Sequence, residues 1–70
     1  MMPKPQKYRD VARFLRSRGW QKRRSGKGSH EIWEDTDSHG VISIPRHGEV
    51  SAGIVRQIMN VVPDPPEKWR

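Results

Sequence analysis

"SHEIWEDTDSHGVISIP", residues 29–45, is the stretch that decides how this chain folds. "SHEIWE" reads as a strand and "GVISIP" as the next one, and the polar "DTDSHG" between them is connection chemistry. So short a link joins antiparallel neighbours. Pro45 closes the later strand, because a proline has no N–H to offer a ladder. Ile32 and Trp33 point to opposite faces of the sheet, and a period of two does not say which face is inside. On an open face Trp33 would stack on a base or anchor a partner.

Working outward, "WQKRR" (residues 20–24) supplies an earlier strand opened by Trp20, and "SGKG" (25–28) the turn that follows it. From Lys7 to Arg18 the period changes to that of a helix. Tyr8, Val11, Ala12 and Leu15 fall at i, i+3, i+4 and i+7, and Phe14 widens the stripe. Gly19 is the stop signal, with Arg16 and Arg18 where the helix dipole favours cations. Arg9, Arg13 and Arg16 share a neighbouring face. After a loop at "RHGEV" (46–50), Ile54, Val55, Ile58, Met59 and Val62 give a second amphipathic helix over about 51–61, capped by Ser51 or Gly53. Pro63, Pro65 and Pro66 forbid its continuation.

The order helix, three strands, helix predicts an α+β domain over residues 7–62. Its sheet is three-stranded and antiparallel, and both helices cover one face, leaving the other free. Residues 1–6 read as a flexible lead. Residues 63–70 read as a proline-rich, extended tail with Trp69 unanchored.

Seventy residues bury a modest core, and there is no cysteine to reinforce it with a disulfide or a thiolate metal site. No apolar run approaches the roughly 20 residues of a membrane span, so a soluble, cytoplasmic protein is expected. Charge is more informative than size. Residues 1–28 carry ten basic side chains and one acid, whereas residues 29–70 carry four basic and seven acidic ones. A block that basic is an electrostatic footprint for phosphates or for an acidic partner, where a merely solubilising surface would spread its charges.

The chemistry concentrates at the turn. Gly26 and Gly28 permit close approach to the main chain. Lys22, Arg23, Arg24 and Lys27 surround the turn, and His30 leaves it at the start of a strand. An imidazole titrates near neutral pH and beside phosphate-binding cations it suits phosphodiester transesterification. It takes a proton from a ribose 2′-OH or gives one to the leaving 5′-oxygen, while the cations offset charge on the phosphorane. No metal or other cofactor is required. A hydrogen-bonded turn histidine is the competing reading of the same residue.

"GW" at 19–20, "GSH" at 28–30, "IPRHGE" at 44–49 and "VRQIM" at 55–59 resemble, in order and spacing, the HicA toxin family. These are small mRNA interferases of type II toxin–antitoxin modules, and the likeness covers roughly residues 7–62. It implies a double-stranded-RNA-binding-like α-β-β-β-α fold and endoribonuclease activity on mRNA, with His30 of "GSH" as the catalytic residue. It also implies a HicB-type antitoxin that covers the active site. One departure is Gly53-Ile54, where the family usually has Gly-Thr before the second helix, which puts that helix boundary in question.

The phosphate-binding set expected from the turn is Lys22, Arg23, Arg24, Lys27, Gly28 and Ser29, with His47 as a further phosphate contact or second acid–base group. A structural loop role is the alternative for His47. His39 is expected in solvent. The three histidines with Glu31, Asp35 or Asp37 match no compact ligand spacing, so no metal site is expected. Two readings stand beside the nuclease: a non-catalytic RNA-binding module that reads A-form shape, and a domain that docks an acidic protein.

Overall fold

The computed structural model describes residues 3–25, 28, 30–46 and 48–69, with the backbone alone for Arg24 and Ser25. The elements are β1 (Gln6–Lys7), α1 (Tyr8–Ser17), β2 (Trp20–Ser25), β3 (His30–Asp35), β4 (Val41–Pro45), β5 (Glu49–Val50), α2 (Ala52–Val61) and a final 3₁₀ turn (Glu67–Trp69). The α+β architecture expected from the sequence, two helices and a three-stranded antiparallel sheet, is present, in an order consistent with a dsRBD-like fold. The sheet runs β2-β3-β4, so β3 is central. A second, two-stranded sheet pairs β1 with β5, Gln6 against Val50 and Lys7 against Glu49. Two-residue strands carry no periodicity, and β5 lies where the sequence suggests only a loop.

Register settles which residues face inward. Trp33 pairs with Ile42 and Glu31 with Ile44, and all four are buried; Ile32 pairs with Ser43 on the other face. Trp33 is therefore core, and Ile32 takes the outer position. One hydrophobic cluster joins Val11, Ala12, Phe14 and Leu15 of α1 to Trp20, Trp33, Ile42 and Ile44 of the sheet and to Val55 and Ile58 of α2. Both helices thus pack on the inner face. The outer face of β3 and β4 carries His30, Ile32 and Glu34 beside Val41, Ser43 and Pro45.

The start of α2 resolves the Gly53-Ile54 departure. Ser51 is the N-cap, in extended conformation, and its Oγ accepts from the Ile54 N–H at 3.4 Å. A serine one residue before the helix supplies what a threonine would.

The tail does not take the extended, unanchored course its prolines suggest. Beyond Pro63, Asp64 has a φ of +56° and the chain turns back across α1. Trp69 is 0% exposed, and its ring meets Phe14 edge-on, centroids 5.0 Å apart and planes at 66°. Arg18 donates to the Asp64 carbonyl at 3.1 Å, and Lys68 lies 3.9 Å from Asp10. The burial of a large aromatic outweighs the local preference of the prolines, which serve instead to redirect the chain.

Candidate active site

His30 is the first residue of β3. It is exposed, and its ladder partner is Pro45. The strand fixes its backbone while the side chain stands in solvent on the outer face. The turn before it includes Gly28 with a φ of +61°, a left-handed conformation that side chains disfavour; a Cβ there would meet nothing within 4 Å, so conformation and not crowding calls for glycine. Lys27, Ser29 and His47 lie outside the described residues, as does the side chain of Arg24.

Lys22 and Arg23, the cations of β2 whose side chains are described, part to opposite faces where the register shifts between Lys22 and Arg24. Lys22 sits opposite Trp33 on the inner face, with Nζ 3.6 Å from a Glu31 carboxylate oxygen. Arg23 reaches Glu34 at 2.7 Å on the outer face and stays 64% exposed. Glu34 is also 3.8 Å from Nδ1 of His39, an exposed residue with φ +61° in the β3–β4 turn. Two of the expected phosphate ligands are therefore partnered by acids of β3, and of these two Arg23 shares the outer face with His30.

A second constellation was not anticipated from the sequence. Glu31 is 2% exposed, a carboxylate in the core layer between β3 and α1. A buried charge is tolerable only when well partnered. Here the Tyr8 hydroxyl donates to Oε1 at 2.5 Å and the Trp33 indole N–H to the same oxygen at 3.2 Å, while Lys22 stands beside Oε2. Burial raises the Glu31 carboxyl, but the hydrogen bonds from Tyr8 and Trp33 and the Lys22 charge outweigh it and hold the group below the ordinary carboxylate value. Tyr8 moves the other way, pushed up to about 12 by burial and then by its hydrogen bond to Glu31 and that group's charge, against the pull of Arg16 and Arg46. The Arg16 guanidinium lies 5.2 Å from the centroid of the Trp33 ring. The signal for this cluster existed in the sequence: once Trp33 is inside, a period of two places Glu31 inside as well.

Among the described residues no three His, Asp or Glu side chains converge on a point where a metal ion would sit. Also among them, no helix is long and apolar enough to cross a membrane.

A family model for the HicA toxin of bacterial toxin–antitoxin systems matches residues 8–62, from the first residue of α1 to the residue after α2. No curated protein and no solved structure matches the chain. The match takes in "GSH" with His30, the whole three-stranded sheet and both helices, and it stops before the returning tail. The chain belongs to the HicA toxin family and is the toxin of a toxin–antitoxin pair, with a cognate antitoxin as its counterpart.

Proposed function

We propose that this toxin is a metal-independent endoribonuclease that cleaves mRNA in the cytoplasm, with His30 as its general acid–base. The observation that carries the reading is the position of His30: exposed, yet held by the β3–β4 ladder directly after the glycine turn that ends the strongly basic half of the chain. In the first step a base removes the ribose 2′-OH proton, O2′ attacks phosphorus, and the 5′-oxygen leaves with a proton. An imidazole at this place suits either proton transfer. Arg23, on the same face, is suited to offset charge on the phosphorane, together with Arg24, Lys27 and His47 and the backbone at Gly28 and Ser29. Lys22 contributes from the sheet edge, half committed to Glu31.

The antitoxin, of HicB type, silences the enzyme by covering His30. The test is cleavage of a structureless RNA by the purified protein in EDTA. Wild type is expected to cut and His30→Ala to bind without cutting, its thermal stability changed by no more than about 0.5 kcal/mol because the side chain is exposed. Binding without cleavage by the wild type would leave an RNA-binding module. Cleavage by His30→Ala would remove the catalytic assignment.

A further inference from the structure

A groove at the start of α1 takes no part in the chemistry assigned to His30. It encloses about 490 Å³ and is lined by Lys7, Tyr8, Arg9, Arg46, Gly48 and Glu49. Its two sides are tied together by the backbone, Lys7 pairing with Glu49 in the β1–β5 ladder and the Tyr8 N–H donating to the Gly48 carbonyl at 3.0 Å. Three cations face one carboxylate, that of Glu49. Three cations elsewhere are neutralised by acids, Lys22 by Glu31, Arg23 by Glu34 and Lys68 by Asp10. Among the described residues Lys7, Arg9 and Arg46 form no such pair.

Tyr8 gives this basic groove an aromatic wall. Its hydroxyl is turned inward to Glu31, which is itself fixed by Trp33 and Lys22. With the hydroxyl committed, the ring is what Tyr8 has left to offer the groove, and it is held in place before any ligand arrives. The groove is linked to the proposed chemistry along the chain: His30 pairs with Pro45, and Arg46, which lines the groove, is the next residue.

We infer that this groove is a nucleotide subsite for single-stranded RNA, in which a base stacks on Tyr8 while Arg9, Arg46 and Lys7 hold the flanking phosphates. The inference rests on the ribonuclease reading and extends it, from where the strand is cut to where the neighbouring nucleotide is held. A fixed aromatic ring among unpartnered cations matches the alternation of base and phosphate in a single strand. An acidic protein segment would use the cations but has no need of the ring.

The test is the affinity of a fluorescent, structureless oligoribonucleotide for the full chain carrying His30→Ala, measured by anisotropy across a salt series. Adding Arg9→Gln and Arg46→Gln together is expected to weaken binding and to reduce the slope of log K against log salt by about 1.4, at about 0.7 per phosphate contact on single strands. Adding Tyr8→Leu is expected to weaken binding by about 5- to 150-fold, the loss associated with one stacked base, with the salt slope unchanged. Tyr8→Phe keeps the ring and is expected to bind nearly as tightly, with thermal melts showing that each variant is folded. An unchanged slope in the double-arginine variant would overturn the subsite. So would equal losses in Tyr8→Leu and Tyr8→Phe, which would assign the effect to the Glu31 hydrogen bond. If neutralising the arginines spares RNA and weakens the antitoxin complex, the groove is a protein-docking surface and the inference fails. A wild type that cleaves RNA while these variants bind normally keeps the ribonuclease and loses the subsite; a wild type that neither binds nor cleaves RNA loses both.

Discussion

Replacing Trp69 by alanine should cost this protein a large share of its stability, although the residue lies outside the segment that matches the family. The side chain is 0% exposed and packs edge-on against Phe14. Truncating a buried tryptophan to alanine costs about 3–5 kcal/mol, and the aromatic pair adds about 0.5–1.5 kcal/mol to its burial. One feature works against this. The indole N–H of Trp69 is buried with no hydrogen-bond partner among the described residues, which lowers its net contribution by about 1–3 kcal/mol. The expected loss is therefore about 3 kcal/mol. In a domain of this size each kcal/mol moves the thermal midpoint by about 4–8 °C, so the melt should fall by about 12–24 °C. Trp69→Phe separates the two contributions. It keeps a ring against Phe14 and removes the unpartnered donor, and it should melt within about 1 kcal/mol of the wild type. A midpoint for Trp69→Ala within about 4 °C of the wild type would refute the reasoning, because a tail so dispensable could not be packed as described.

The chain has a single tyrosine, so its ultraviolet titration reports Tyr8 alone; the midpoint is expected at about 12, and Glu31→Gln should bring it down without reaching the ordinary value of 10.0, since burial remains. Because the folded-state value is raised, the stabilisation is complete below pH 10.0 and is lost as pH rises towards 12, which alkaline melts should show. Glu31 behaves in the opposite sense: its value is lowered on folding, so its contribution is complete above about pH 4.5 and is lost as pH falls below it. Glu31→Gln should cost about 1–3 kcal/mol at neutral pH, and the gap from wild type should close in acid melts; a constant gap from pH 7 to 3 would mean that the carboxylate form is not what the fold prefers. Charge reversal at Arg24 or Lys27 should slow association with the antitoxin, most visibly at low salt in stopped-flow traces; a changed dissociation rate alone would place these residues in the desolvated centre of the interface.

The Glu31 cluster bears on how the site is supported. Glu31 adjoins His30 in sequence but faces the other side of the sheet, so the two side chains serve different surfaces of one strand. Glu31 fixes Tyr8, and with it the start of α1, while His30 is left free for solvent and ligand. A change at Glu31 is therefore expected to reach the groove through Tyr8 rather than to act on His30.

By itself the sequence determined the element types, because their signals are local. The 3.6-residue stripe of Tyr8, Val11, Ala12 and Leu15 makes a helix before any partner is specified, and Gly19 ends it. The short polar link at 35–40 makes β3 and β4 antiparallel neighbours, and Ser51 marks the start of α2. The position of His30 was legible too, since a glycine turn followed by a strand places that residue at the strand's first position. Tertiary structure alone decided the rest. Period two leaves a strand's two faces equivalent until something packs on one of them, so only the helices settled that Trp33 and Glu31 go in and Ile32 goes out. The β1–β5 ladder is too short to carry a pattern, and its partners lie more than forty residues apart. The return of the tail depends on a surface that does not exist until α1 is folded: Pro65 and Pro66 describe the chain's local stiffness, and the open edge of Phe14 decides where Trp69 comes to rest.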